Sequence, residues 1–161
     1  MLVHPSVERV TRTLADLGAT KASGNVRTLP APAPTAVAAA EQLGVDVAQI
    51  ANSLLFSADG SPLLVMASGG HRVDTSKVAA IVGAVKVERA TPEFVREHTG
   101  FAIGGVAPVG HPAPLRTLVD VELQQYHEVW AAAGHPNTVF PTTYDELLAI
   151  TGGTPADVGS D

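Results

Sequence analysis

The chain contains no cysteine, and only 4% of its 161 residues are aromatic. Without cysteine there is no disulfide framework and no thiolate site for metal or redox chemistry. So few aromatic side chains do not provide the stacking platform that single-strand nucleic-acid-binding proteins use. The longest apolar runs are much too short to cross a bilayer. We therefore expect a cytoplasmic protein without a membrane partner.

Positive charge is also scarce, because 10 Lys and Arg residues against 16 Asp and Glu give a formal net charge of -6. Non-specific affinity for nucleic acid requires lysine and arginine to neutralise phosphates. We therefore expect no DNA partner, and an RNA partner must be held by a local patch or delivered by another protein. The length and the 45% hydrophobic content fit a single domain with a real core.

Several catalytic signatures are missing. The sequence has no P-loop, no G-x-G-x-x-G opening a helix, no H-E-x-x-H and no G-x-S-x-G. Its six histidines are not spaced to place three on one helix face or a pair on a hairpin. These absences argue against nucleotide hydrolysis, zinc protease chemistry and covalent hydrolysis, and we expect neither a metal nor another cofactor. Non-covalent chemistry on a bound carbonyl remains.

Residues 99–110, called the glycine loop below, contain four glycines and a proline in twelve uncharged positions. The Gly104-Gly105 pair lets the backbone take positive φ or approach another group closely, and Pro108 fixes the exit direction. This composition predicts a shaped loop rather than a helix or a long strand. Its main-chain N–H groups are suited to bind a carbonyl oxygen or an oxyanion. The alternative is a tight turn between core elements.

Helices and strands alternate irregularly along the chain. Apolar spacing, capping residues and terminal glycines predict helices at 7–17, 36–43, 74–82, 92–99 and 144–150. The clearest sheet signal is a hairpin, with strands at 50–56 and 62–67 on either side of Asp59-Gly60. Further strands are predicted at 26–29, 85–89, 115–121, 129–134 and 138–140. A hairpin without regular βαβ alternation predicts an α+β domain with a mixed sheet.

Two segments are predicted to lack regular structure. The proline-rich residues 30–34 predict a stiff connector. The polar, glycine-rich residues 154–161 predict a flexible C-terminal tail, so that the domain spans 1–153.

Two polar residues, Asn52 and Ser53, interrupt the front of an otherwise apolar strand. Polar side chains in such a strand need hydrogen-bond partners or solvent. They either close a structural hydrogen bond or face a cleft.

Three motifs occur together and in order: T-G-F at 99–101, G-G-x-x-P-x-G at 104–110 and A-A-G at 132–134. With them the sequence resembles the YbaK/ProX-type aminoacyl-tRNA deacylase domains, which include the editing domain associated with prolyl-tRNA synthetase. The resemblance covers nearly the whole chain. It implies a mixed, partly barrel-like β-sheet surrounded by helices, and hydrolysis of the aminoacyl ester of mischarged tRNA.

The resemblance also implies a site, in which water attacks the ester and the N–H groups of Gly104 and Gly105 stabilise the oxyanion. The family carries a lysine in its K-[TS]-L strand motif, whereas this chain has Asn52 at that position. The residues expected to contact substrate are Ser53, Ala107, Pro108 and His135. His135 either acts as a base or water-orienting group, or is an ordinary loop histidine.

Two functions follow from the resemblance. The first is a free-standing trans-editing hydrolase for mischarged tRNA. A synthetase pocket alone cannot prevent such mischarging, because one methylene group changes the binding free energy of an amino acid by only about 1–3 kcal/mol. The second, favoured by Asn52, is a binding module for aminoacyl-tRNA, an amino acid or an aminoacyl-tRNA synthetase. Arg72 and Lys77 either meet RNA phosphates or belong to a solvated surface.

Overall fold

The computed structural model describes residues 4–33 and 35–160. Pro34 of the predicted connector and Asp161 of the predicted tail lie outside these residues, as do residues 1–3. Within the described chain there are six α-helices. They are α1 (Pro5–Asp16), α2 (Thr20–Gly24), α3 (Ala36–Leu43), α4 (Thr75–Val82), α5 (Pro92–Thr99) and α6 (Tyr144–Thr151). Short 3₁₀ helices span Val47–Gln49 and Val121–Gln125.

Helix starts follow local capping chemistry. The Thr35 side chain accepts a hydrogen bond from the Ala38 N–H at the start of α3, and Thr91 accepts one from Phe94 at the start of α5. Each satisfies an N–H group that has no partner inside its helix. The five predicted helices are therefore present with nearly the predicted bounds. The short α2, which buries Ala22, was not predicted.

Ten strands are described, and eight of them form one mixed sheet. They are β1 (Arg27–Thr28), β2 (Ile50–Ala58), β3 (Ser61–Ser68), β4 (Arg72–Val73), β5 (Val87–Arg89), β6 (Arg116–Asp120), β7 (Val129–Ala132), β8 (Thr138–Thr142), β9 (Thr154–Ala156) and β10 (Gly159–Ser160). The main order is β1-β8-β7-β2-β3-β6-β9, with β5 also paired to β2, while β4 pairs with β10 separately. This arrangement confirms the predicted α+β class with a mixed sheet.

The central strand β2 has one fully paired edge and one interrupted edge. Along the first edge it runs antiparallel to β3 over its whole length except Ile50. On the second edge, β7 pairs only with Ile50 and Ala51, and β5 pairs only with 56–58. Residues 52–55 therefore have no neighbouring strand on that edge within the described chain. We call this interval the β2 gap.

The C-terminal residues 154–160 form strands rather than the predicted flexible tail. Strand β9 pairs in parallel with β6, and β10 pairs with β4. Ala156 and Val158 are buried, and the Lys77 Nζ donates to the Gly159 carbonyl at 2.7 Å. The composition of this segment is polar, but its order comes from pairing with strands distant in sequence. The domain therefore continues beyond residue 153.

Candidate functional site

A cleft of ≈ 660 Å³ opens at the β2 gap. We call it the main cleft. It is lined by β2 itself, by small residues of α3, by the ends of β7 and β8, by β4 and β5, and by Ile103 and Gly104 of the glycine loop. Apolar and polar atoms contribute similar shares of its surface, and the polar groups can orient a ligand.

Asn52 and Ser53 both line the main cleft. Asn52 is half-buried, and its side chain has no hydrogen-bond partner among the described residues. It shares a face of β2 with Ile50 and Leu54, since side chains alternate along a strand. Ser53 is bound differently, because its hydroxyl donates to the Met66 Sδ at 3.2 Å. Asn52 therefore faces the cleft, whereas the Ser53 hydroxyl makes a structural contact.

The glycine loop is anchored behind the cleft. Gly100 ends α5 with φ +78, and the Thr99 hydroxyl then accepts a hydrogen bond from the Phe101 N–H at 3.0 Å. Phe101 is buried, with the guanidinium of Arg9 4.7 Å from its ring centre. These contacts fix the base of the loop and leave Ile103 52% exposed at its tip.

The two adjacent glycines have different environments. Gly104 has φ +92, is exposed and lines the main cleft, and its N–H has no acceptor among the described residues. The Gly105 N–H already donates to the Ala102 carbonyl at 3.1 Å, which closes a turn. Gly105 is buried against the main chain of His135. Of these two glycines, only Gly104 therefore offers its main-chain N–H to the cleft.

Three other residues predicted to contact substrate do not line the main cleft. Ala107 is fully buried in the core, and Pro108 lines a second cavity of ≈ 270 Å³ behind the loop. His135 is half-buried, with its Nδ1 2.5 Å from the Asn137 Oδ1 and its ring centre 5.0 Å from that of His4. The turn that carries His135 nevertheless supplies Pro136 to the cleft wall.

His111 also lies behind the loop and lines the second cavity. Burial lowers the pKa of its imidazole, and the nearby positive charge of Arg9 acts in the same direction. A hydrogen bond to the Ala107 carbonyl, at 2.8 Å from Nε2, opposes this shift. The His111 ring therefore contacts the glycine loop from behind, through the Ala107 carbonyl, and does not face the main cleft.

The main cleft carries local positive charge. Arg72 of β4 and Arg89 of β5 line it, and no aspartate or glutamate of the described chain does. His71 also lines it, with its Nδ1 2.9 Å from the buried carboxylate of Asp120. In a chain of net charge -6 this is a local reversal of sign. Such a cleft attracts an anionic ligand.

Arg89 was not predicted as a site residue, although its strand was. It faces the cleft because β5 pairs antiparallel with β2, which sets Arg89 opposite Phe56. Val87 is buried, whereas Glu88 and Arg89 are exposed. The sequence predicts the strand but not its register with β2.

The fold and the cleft define a small α+β domain whose main cleft combines two arginine side chains with an exposed main-chain N–H at Gly104. Comparison with known proteins identifies it further. The chain belongs to the aminoacyl-tRNA editing domain family, whose model matches residues 30–150. This confirms the family resemblance of the sequence.

Related proteins agree with this assignment. A solved structure, provisionally described as a trans-editing enzyme for prolyl tRNA synthetase, has a TM-score of 0.91 at 43% identity and covers 99% of this chain and 100% of that chain. Uncharacterized protein YwhH of Bacillus subtilis (strain 168) is 36% identical over 110 residues, which cover 68% of this chain and 69% of YwhH. EbsC of Enterococcus faecalis (strain ATCC 700802 / V583), provisionally named a Cys-tRNA(Pro)/Cys-tRNA(Cys) deacylase, is 26% identical over 125 residues, covering 77% of this chain and 76% of EbsC.

No helix among residues 4–33 and 35–160 is long and apolar enough to span a membrane.

Proposed function

We propose that this protein is a trans-editing hydrolase that cleaves the aminoacyl ester of mischarged tRNA. The observation that carries the proposal is the composition of the main cleft, where Asn52 and the Gly104 N–H meet two arginines and no carboxylate of the described chain. An aminoacyl-tRNA end combines an ester carbonyl with phosphates, and this set of groups complements both.

The reaction needs stabilisation of negative charge on the ester carbonyl oxygen. Water adds to the carbonyl carbon and the carbonyl oxygen becomes an oxyanion. The bond to the terminal ribose oxygen then breaks, and that oxygen takes the proton that the attacking water gives up. A main-chain donor directed at the oxyanion supports such a reaction, and removing one donor typically lowers kcat by about 10²–10³-fold. We assign this contact to Gly104. Because the Gly105 N–H is used within the loop, its part in the proposal is packing.

Asn52 replaces the lysine that the family motif carries. Its amide can donate from the NH₂ group and accept at the oxygen, so it can position the attacking water or a ribose hydroxyl. It cannot supply a full charge, and a charge-assisted hydrogen bond is roughly twice as strong as a neutral one. The proposed enzyme is therefore slower, or differently selective, than one with lysine.

Arg72 and Arg89 fit the phosphates at the acceptor end of the tRNA. Phosphate contacts fix position and register without reading sequence. The solved relative at 43% identity is described in connection with prolyl tRNA synthetase. On this basis we propose mischarged tRNA(Pro) as the first substrate to test, and the same synthetase as a partner that delivers it.

The test is a panel of mischarged tRNAs incubated with the purified protein, with and without a chelator. We expect release of at least one amino acid from tRNA(Pro), at a rate above spontaneous hydrolysis and unchanged by the chelator. Loss of activity with the chelator would contradict the metal-free mechanism. Stability of every ester in the panel would contradict the enzyme itself.

A second candidate function is a binding module for aminoacyl-tRNA, an amino acid or a synthetase, and the observation that favours it is Asn52. The variant Asn52→Lys separates the two functions, because it restores the family residue in an otherwise identical cleft. If the natural protein hydrolyses nothing in the panel while Asn52→Lys does, the binding module is the correct function. If both hydrolyse, the enzyme is correct.

A further inference from the structure

The β2 gap exposes main-chain groups as well as side chains. Along a paired strand, the N–H and C=O of successive residues point to opposite edges. The Ile50 carbonyl points to the β3 side, where it accepts from the Gly69 N–H at 2.7 Å. The Leu55 carbonyl points to the other side, where it accepts from the Ala90 N–H at 3.4 Å. Ser53 lies two residues before Leu55, so its main-chain groups point to the same edge as those of Leu55. The N–H and C=O of Ser53 therefore point into the β2 gap.

Neither main-chain group of Ser53 has a partner among the described residues. The pairing of β7 stops at Ala51, and the pairing of β5 begins at Phe56. Ser53 is half-buried and lines the main cleft. Main-chain groups away from bulk solvent are almost always hydrogen-bonded. One donor and one acceptor on the same residue are therefore available to a ligand in the cleft.

The geometry of these groups selects the ligand. In a hydrogen-bonded antiparallel pair, two residues exchange both of their N–H···O=C bonds. An α-aminoacyl group carries an amine donor and a carbonyl acceptor on one α-carbon, as a strand residue does. It can therefore add to an open strand edge as a single residue, in the manner of peptides that extend a sheet.

We infer that the Ser53 main chain binds the aminoacyl group, with its N–H donating to the ester carbonyl oxygen and its C=O accepting from the α-ammonium. This inference rests on the proposed function and adds a second main-chain donor beside Gly104. No carboxylate of the described chain lines the main cleft. An ammonium bound there has only neutral oxygens as acceptors, and the Ser53 carbonyl is one of them.

The first test compares Ser53→Pro with Ser53→Ala. Proline removes the N–H, and it breaks no bond of the sheet because this N–H faces the gap; proline is tolerated at such edge positions. Alanine removes the same hydroxyl and keeps the N–H. We expect kcat/KM for mischarged tRNA to be about 10²-fold lower in Ser53→Pro than in Ser53→Ala. Equal values in two variants with equal melting temperatures would overturn the inference.

The second test uses the unmodified protein, so it does not depend on the folding of a variant. Adenosine carrying an alanyl group through a 3′-amide is compared with its propionyl counterpart, which lacks only the α-ammonium. We expect the alanyl compound to shift the ¹⁵N–¹H signal of the Ser53 amide and to bind roughly 10- to 100-fold more tightly, the range for a hydrogen bond to a charged group. Equal affinities, or a Gly104 signal that moves while Ser53 does not, would overturn the inference.

These outcomes are separate from those of the proposed function. If no mischarged tRNA is hydrolysed, the enzyme proposal fails, and the amide-linked compounds still show whether Ser53 binds an aminoacyl group. If tRNA is hydrolysed and the Ser53 signal stays unchanged, the enzyme stands and the Ser53 contact fails.

Discussion

Substitution of Gly105 by alanine tests whether the glycine loop positions its donor by packing on the turn that carries His135. A Cβ atom at Gly105 would lie 3.0 Å from the Cα of His135 and 3.2 Å from both its N and C atoms. Gly105 does not have positive φ, so the backbone conformation itself accepts alanine. The contact is with main chain, which cannot move aside as a flexible side chain does. One of the two segments must therefore shift.

The expected magnitude follows from this contact. Adding a methyl group to a well-packed site typically destabilises a protein by about 1–3 kcal/mol. The shift would move the neighbouring Gly104 N–H, and a displacement of about 1 Å in a reacting geometry can reduce the rate by about 10²-fold. We therefore expect Gly105→Ala to have a lower free energy of unfolding and to lose about 10- to 100-fold in kcat/KM.

Gly83→Ala is the matched control. Gly83 ends α4 with φ +74, and no atom lies within 4 Å of the position of an added Cβ. Alanine there is destabilised by the left-handed backbone alone, at about 1–2 kcal/mol. The loss in free energy of unfolding is therefore expected to be similar in Gly83→Ala and Gly105→Ala. Gly83 does not line the main cleft, so only Gly105→Ala should affect the site. Denaturant unfolding and deacylation are measured on both variants. Equal activities at equal stability would refute the role of Gly105 in positioning the loop.

Three further predictions concern other parts of the site. Asn52→Ala should lower kcat/KM by about tenfold or less, the equivalent of one neutral hydrogen bond. Arg89→Gln should reduce the slope of log K against log salt for tRNA binding by about 0.7–0.9, the contribution of one phosphate contact. Folding lowers the pKa of His111 from its ordinary 6.5. As the pH falls, His111 is therefore protonated in the unfolded chain before it is protonated in the folded chain, and the free energy of unfolding should decrease below pH 6.5. The fall is at most about 1.4 kcal/mol per pH unit, and His111→Gln should remove it.

Each of these predictions has a contradicting result. Full activity of Asn52→Ala would remove this residue from the mechanism. For Arg89→Gln the control is Arg12→Gln, because Arg12 is exposed and paired with Glu8 on α1. Equal salt slopes in the two variants would show that Arg89 contacts no phosphate. An unfolding free energy with the same pH dependence in His111→Gln and the natural protein would assign the acid sensitivity to other groups.

Local signals explain which parts of the fold could be predicted. Thr35 with Gly44 delimits α3, Thr91-Pro92 with Gly100 delimits α5, and each pair acts within one helix. The hairpin likewise depends on a turn between neighbouring segments. Strands β9 and β10 could not be predicted in this way, because their order depends on partners at β6 and β4. Their own composition indicates only a polar tail.

The candidate site likewise contains residues that the local sequence identifies and residues that only the three-dimensional structure identifies. Asn52 and Ser53 are unusual within their own strand, so the sequence identifies them. The glycine loop is also visible, but its composition does not say which side faces the cleft. The structure turns Gly104 outward and Ala107 into the core. Arg89 requires the register of β5 with β2, which is a long-range property.

In the proposed enzyme, the distribution of charge along the cleft would separate phosphate binding from cleavage of the ester. Arg89 is opposite Phe56, four positions beyond Asn52 on β2. At about 3.3 Å per residue, the two main-chain positions are separated by roughly 13 Å. With this separation along the cleft, Arg89 is placed to hold a phosphate at one end rather than to replace a charge at Asn52. Arg89→Gln should therefore raise KM and leave kcat nearly unchanged, whereas Asn52→Lys should act mainly on kcat. If Arg89→Gln instead lowers kcat with KM constant, the arginine acts on the reacting ester and the two ends of the cleft are not separate.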